Sequence, residues 1–237
     1  MPWGPREAGI TALLAFLAFI LSQIVVLPAV NKGENDPTFL ALSLVGTLIW
    51  QAIIIRLAFW IARRRGGSAK DLGLRRPFEG ESRELELGRL FRLVLGAYVA
   101  AEMITVIYAA LASATGLDAL EPQKQLPDRL FTDTGLVALT GVTVVLTAPI
   151  AEEILFRGMI FAGLNRAWGF WPAALGSGLL FAIAHAQSGL IIPFTLVGVT
   201  LAFVYRRAGS IYASMSVHVL FNGISFLALL LIPGARS

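Results

Sequence analysis

The chain has 237 residues, of which 57% are hydrophobic and only 14% are charged, and its mean hydropathy is +0.75. A soluble domain is roughly a quarter charged, so this composition excludes an ordinary soluble protein and indicates a polytopic membrane protein. The absence of cysteine excludes disulfides and zinc–thiolate sites, and the net charge of +4 suits an anionic membrane surface rather than nucleic acid.

Apolar runs long enough to cross about 30 Å of hydrocarbon follow one another along nearly the whole chain. They predict about seven membrane spans, with a range of six to eight, at residues 8–30, 38–61, 93–115, 135–164, 171–187, 190–206 and 210–232. We therefore expect an all-α, polytopic transmembrane helical bundle that forms a single membrane domain, 1–237. The fifth and sixth runs are short, and Pro193 interrupts the sixth, so broken or re-entrant helices are an alternative there.

Lysine and arginine concentrate in the loop 63–92, which carries nine of them, whereas the segment between the third and fourth spans carries two. Cytoplasmic loops are enriched in these residues. The arginine-rich loop and the N-terminus are therefore expected on the cytoplasmic side, and Arg166 and the Arg206–Arg207 pair then fall on that side too. The abundance of Ala, Gly, Leu and Arg suggests a bacterial plasma membrane. The loop itself has two interpretations, an amphipathic helix on the membrane surface or a solvated linker.

Ionisable side chains cluster inside three of the apolar runs. Glu152, Glu153 and Arg157 belong to the fourth run, and the two histidines of the chain, His185 and His218, belong to the fifth and the seventh. An ionisable group at bilayer depth is costly unless it is paired, so such groups indicate a functional site.

Helix lengths predict that the polar groups meet. Glu152 lies 16 residues before a predicted turn near Trp168 and His185 lies 17 residues after it, which places both about 24–26 Å from that turn. His218 and Asn222 lie roughly 15–21 Å from the turn between the last two spans. We expect these four side chains in one layer within the membrane, around a shared pocket.

Helical spacing gives the two adjacent acids different tasks. Glu153 and Arg157 are i,i+4 with the acid first, the favourable order for an ion pair, whereas Glu152 points about 100° away. Pro149 removes a helix hydrogen bond just before the acids and predicts a kink. Glu102, in the third span, is either a structural partner, for example of Arg157, or part of a site.

Three motifs carry these residues. The chain reads EEILFR at 152–157, FAIAH at 181–185 and HVLFN at 218–222. Together they resemble the pattern EExxxR, FxxxH and HxxxN, each on a membrane helix, of the CAAX-protease and bacteriocin-processing family (CPBP, also called Abi). One motif alone is weak, but the conjunction is specific. The resemblance covers residues from about 135 to 230 and implies a catalytic core at 135–232.

The resemblance implies an intramembrane endopeptidase. In such an enzyme Glu152, assisted by His185, would activate a water molecule as general base. His218 and Asn222 would hold the oxyanion of the tetrahedral intermediate. These four are the catalytic residues that the resemblance implies.

The same resemblance implies that Glu153 and Arg157 support the site by fixing the helix around the general base. Zinc is the alternative to a metal-free mechanism, since the family has been described as metalloproteases, and its ligands would be Glu152, His185 and His218. We favour no metal and no other cofactor, because HExxH is absent and asparagine is a poor zinc ligand.

Two other functions remain open at this stage. One is a non-catalytic immunity or scaffold protein of the membrane, and the other is a small proton-coupled transporter with Glu102, Glu152 and His185 as a relay. The expected partners are the lipid bilayer and a peptide or membrane-anchored protein substrate, with or without a lipid group, and no nucleic acid. The sequence leaves the oligomeric state unknown.

Overall fold

The computed structural model describes residues 2–80, 82–121 and 126–232. Within these ranges the protein is helical and contains no strand, so the predicted all-α bundle is confirmed. The described residues form seven main helices: α1 (Pro5–Ser22), α2 (Pro37–Arg64), α3 (Arg83–Thr115), α4 (Thr134–Trp168), α5 (Phe170–Ile183), α6 (Ile191–Ala208) and α7 (Ile211–Leu231). Short 3-10 segments connect some of them, at Gln23–Lys32, Asp118–Leu120, Asp128–Phe131 and Ser188–Leu190.

Six candidate membrane spans are present in the described part of the chain. They comprise every main helix except α5, with α1 extended to Lys32 and α6 beginning at Ser188. The protein is accordingly an integral membrane protein. The fifth predicted run, 171–187, corresponds to α5, which has only 14 residues and is about 21 Å long. The seven predicted spans thus become six spans and one shorter apolar helix.

Pro193 does not break the sixth run, although it lies near the start of that run. Since α6 begins at Ile191, Pro193 falls in the first helical turn. The backbone N–H groups of a first turn have no partner within the helix, so a proline there removes no hydrogen bond. The start of α2 is stabilised in another way: the Asp36 side chain accepts a hydrogen bond from the backbone N–H of Thr38 at 2.8 Å.

The loop between α2 and α3 is neither a separate surface helix nor a free linker. Residues 83–92 continue directly into α3, and the described residues before them form turns. The backbone N–H of Ile211 donates to the Gly73 carbonyl at 2.8 Å, and that of Phe78 donates to the Ala208 carbonyl at 2.9 Å. Leu72 is fully buried. The loop is therefore bonded to the turn between α6 and α7.

Asp71 stabilises this loop locally. Its carboxylate accepts hydrogen bonds from the hydroxyl and the backbone N–H of Ser68, at 2.7 and 2.8 Å. These two hydrogen bonds hold the pKa of Asp71 below its usual value, and the bond from the hydroxyl has the larger effect.

Segments that were predicted to share one side of the membrane do meet at one end of the bundle. Glu7, at the start of α1, pairs with Arg65 of the arginine-rich loop at 2.5 Å. Arg206, at the end of α6, donates to the Asn165 side chain, at the end of α4, at 3.0 Å. The N-terminal segment, the loop and the two helix ends therefore lie together. That this end faces the cytoplasm stays a prediction.

Candidate active site

The helix that carries the two acids is not a regular α-helix. Two π-helical segments, Gly141–Thr147 and Ile154–Phe161, flank a six-residue α-helical segment, Ala148–Glu153, within α4. The first π segment ends two residues before Pro149. Segments of this kind are rare and are frequent at functional sites. The kink predicted at Pro149 stays a prediction.

Pro149 leaves a carbonyl group of α4 without a backbone donor, and Asn222 of α7 supplies the missing hydrogen bond. The N–H of Ala148 donates to the Thr143 carbonyl, and Pro149 has no N–H. The Val144 carbonyl therefore accepts no hydrogen bond from the backbone of residue 148 or residue 149. The Asn222 amide donates to it at 2.9 Å. One of the two amide protons of Asn222 is used in this way, and the other is available.

Gln51 of α2 holds the same π segment from the other side. Its side chain is buried, donates to the Thr143 carbonyl at 3.4 Å and accepts from the Thr147 hydroxyl at 2.6 Å. Sequence reasoning missed Gln51. The only signal was a single carboxamide in an apolar helix, which gives no hint of a partner 92 residues away in the chain.

Glu153 and Arg157 form the predicted ion pair, with Oε1 and Nη1 3.0 Å apart and both side chains fully buried. Arg157 also donates to the Gly198 carbonyl of α6 at 3.2 Å. The suggested pairing of Arg157 with Glu102 is wrong, because the guanidinium lies between Glu153 and α6. Glu102 interacts instead with the hydroxyl of Tyr98, one turn earlier in α3.

His218 lies between the two adjacent acids. Its Nδ1 is 3.1 Å from Glu153 Oε1, and its Nε2 is 3.7 Å from Glu152 Oε2. Because Arg157 compensates the charge of Glu153, we treat Glu153 as a carboxylate, which can only accept, and Nδ1 must then carry the proton. A neutral His218 would present an acceptor towards Glu152, and only the imidazolium form would present an N–H there.

His185 lies in a turn, not on a helix as the motif pattern predicted. α5 ends at Ile183, and Ala186 has a positive φ of 54°, a conformation that commonly follows a helix end. The His185 ring packs on Phe181, with ring centroids 4.8 Å apart, as its spacing predicted. Its Nδ1 is 2.9 Å from the Phe181 carbonyl oxygen. A carbonyl only accepts, so Nε2 of the neutral ring is free to accept another proton.

Three of the four predicted catalytic side chains line one small cavity. His185, His218 and Asn222 share it with apolar side chains of α3, α5, α6 and α7, and its volume is about 20 Å³. A cavity of this size holds roughly one water molecule. Glu152 does not line it but lies beside it, next to His218. Glu152 Oε2 is buried and has no hydrogen-bond partner among the described residues.

The proposed zinc ligands do not form a metal site as they are placed here. In the described part of the chain, no group of three His, Asp or Glu side chains is arranged to hold an ion. We therefore derive no step through zinc.

Residues 134–224 match the family described as Type II CAAX prenyl endopeptidase Rce1-like. This segment includes all three motifs, and the resemblance predicted from them is confirmed over it. The match leaves out α1, α2 and α3.

Three curated proteins are similar to parts of the chain. The candidate membrane peptidase YdiL of Bacillus subtilis (strain 168) is 35% identical over 86 residues, which are 36% of this chain and 35% of YdiL. An uncharacterized 24.3 kDa protein of Escherichia coli is 30% identical over 105 residues, 41% of this chain and 48% of that protein. The protein YxdF of Lactococcus lactis subsp. lactis (strain IL1403) is 25% identical over 125 residues, 49% of this chain and 69% of YxdF.

The chain spans about a third of the length of YdiL and about half of that of the Escherichia coli protein. No solved structure matches the chain.

Proposed function

We propose that this protein, whose residues 134–224 match the CAAX-type endopeptidase family, is an intramembrane endopeptidase. The observation that carries the proposal is the meeting of the three motifs inside the bundle. His218 of the third motif contacts both acids of the first, and it shares a cavity with His185 of the second. Polar side chains from three separate parts of the chain thus meet around a space that fits one water.

Glu152 and His185 would activate the attacking water. Glu152 Oε2 is buried without a hydrogen-bond partner among the described residues, so it is available to take a proton. His185 holds its Nδ1 on a carbonyl and lines the cavity, so its Nε2 would serve as an acceptor. The water oxygen forms the new bond to the carbonyl carbon of the peptide. Its proton passes to Glu152 and then to the leaving amine, which completes the hydrolysis.

His218 and Asn222 would stabilise the oxyanion. The contact with Glu153 requires His218 to be an imidazolium if it is to donate from Nε2. Two carboxylates and two cations, Arg157 and His218, then form a set with no net charge, which is favourable in a buried site. Asn222 contributes the amide proton that the Val144 carbonyl does not use. Both donors are fixed before the reaction, as electrostatic stabilisation of a transition state requires.

We propose a peptide or a membrane-anchored protein as the substrate, because the cavity lies within the helical bundle of a membrane protein. The arginine-rich end of the bundle would face the cytoplasm of a bacterial cell. The reaction would need no metal.

The test uses the purified full chain in proteoliposomes with membrane-anchored peptides, and mass spectrometry identifies the products. We expect cleavage by the wild type and a loss of roughly 10²–10⁴-fold in Glu152→Ala and in His185→Ala. Glu102→Gln is the matched control, since it removes a membrane carboxylate that interacts only with Tyr98 among the described contacts. It should retain cleavage.

Other outcomes would redirect the proposal. Full cleavage by Glu152→Ala would exclude this residue as the base. Absence of cleavage by the wild type, with proton uptake that all three variants lose, would favour the transporter. Loss of cleavage on chelation, together with a stoichiometric metal in the purified protein, would replace the metal-free mechanism.

A further inference from the structure

Three arginines on the exposed face of α2 have no acidic partner among the described residues. Arg56, Trp60 and Arg64 follow one another at i,i+4 spacing, and Arg63 lies on the same face. The opposite face of the helix packs into the bundle. α2 contains no Asp or Glu. The nearby Glu7 is used by Arg65, so it does not compensate this face.

The position of Arg56 makes its charge costly without a counter-ion. It lies eight residues before Arg64, about 12 Å along the helix, within a candidate membrane span. A guanidinium exposed at that distance must extend to the interface or meet an anion. Arg63 is two turns further along the same face, about 10 Å away, so both long side chains can reach one group between them.

Apolar side chains complete a place for a ligand on this face. The arginines adjoin Ile53, Leu57 and Trp60 on the outer surface of α2. The Arg64 guanidinium stacks 4.8 Å from the Trp60 ring centre, and tryptophan favours the level of the lipid headgroups. Cationic and apolar side chains therefore adjoin on one face of α2.

We propose that this face of α2 binds an anionic phospholipid. The phosphate would lie between Arg56, Arg63 and Arg64, since guanidinium groups bind phosphate oxygens through paired, charge-assisted hydrogen bonds. The acyl chains would run along Ile53 and Leu57 towards the middle of the membrane. A soluble anion would leave the apolar part of this face uncovered, and an apolar partner would leave the three charges unpaired. Charge and apolarity together fit the phospholipid.

Native mass spectrometry of the purified chain tests this, in detergent with equal amounts of phosphatidylglycerol and phosphatidylcholine. We expect retained phosphatidylglycerol on the wild type and a roughly tenfold lower preference for it in Arg56→Gln, the effect of losing about one charge-assisted contact. Arg207→Gln, which removes an exposed arginine at the end of α6, should leave the preference unchanged. Arg56→Lys should restore part of it, and circular dichroism checks that each variant is folded.

An unchanged preference in Arg56→Gln would overturn the proposal, as would an equal loss in Arg207→Gln, which would indicate attraction to the whole basic surface. Displacement of the lipid by inorganic phosphate would overturn it in favour of a simple anion site. Retention of a prenylated peptide in place of phosphatidylglycerol would overturn it in favour of a substrate site. None of these readouts depends on peptidase activity, so the result is independent of the proposed function.

Discussion

At the scale of single residues, the site depends on polar atoms that each have a second task. Asn222 is proposed to donate to an oxyanion, yet it also satisfies the Val144 carbonyl that Pro149 leaves without a partner. A loss of activity in Asn222→Ala would therefore be ambiguous, because the variant also leaves a carbonyl group unpaired in an apolar environment. The two tasks can be separated, since the proline that creates the structural need can itself be replaced.

We predict that Asn222→Ala lowers both the stability and the cleavage rate, and that adding Pro149→Ala restores only the stability. Asn222→Ala should cost about 1–3 kcal/mol for the unpaired carbonyl. An alanine in place of Pro149 would supply a backbone N–H five residues after Val144, the spacing of the π segment. Thermal unfolding and peptide cleavage, measured on the same samples, check the two parts. Recovery of cleavage in the double variant would mean that Asn222 has only a structural task.

At the scale of helices, α4 shows which features a sequence pattern can predict. The Glu153–Arg157 ion pair follows from spacing along one helix, and it is present at 3.0 Å. The π segment Gly141–Thr147 is bonded by Gln51 and Asn222, which lie on other helices and far away in the sequence. The end of α5 before His185 depends on a turn at Ala186 that has no glycine to mark it. Local periodicity contains neither kind of information.

The close contact between α5 and α6 leads to a prediction at this scale. Gly178 of α5 lies against Gly198 of α6, whose carbonyl accepts the hydrogen bond from Arg157. A Cβ atom at Gly178 would lie 2.6 Å from the Thr195 carbonyl oxygen, whereas one at Gly176 would meet nothing closer than 3.6 Å. We expect Gly178→Ala to separate the helices and to lower the stability by about 1–3 kcal/mol.

Gly176→Ala is the matched control, two residues away in the same helix, and it should be neutral or gain up to about 1 kcal/mol. Thermal unfolding in one detergent compares the two variants. Equal stability of both would mean that the close contact of α5 with α6 is not needed.

At the scale of the whole molecule, composition and apolar runs predicted the bundle and most of its helices, and lysine and arginine counts predicted which ends lie together. The contact of Glu7 with Arg65 and that of Arg206 with Asn165 agree with this grouping. The attachment of the loop to the turn between α6 and α7 was not predictable, because it consists of backbone hydrogen bonds to residues more than 100 positions away. Contacts within the bundle do not decide which side of the membrane each end faces, because the distribution of lysine and arginine sets the orientation of insertion.

The direction of insertion can be measured directly because the chain contains no cysteine. Lys70→Cys places one thiol in the arginine-rich loop, and Glu34→Cys places one in the exposed turn between α1 and α2, at the other end of the bundle. Since cytoplasmic loops are enriched in lysine and arginine, an impermeant maleimide should label Glu34→Cys in intact bacterial spheroplasts and Lys70→Cys only in inverted vesicles. The opposite pattern would reverse the predicted orientation while leaving the bundle unchanged.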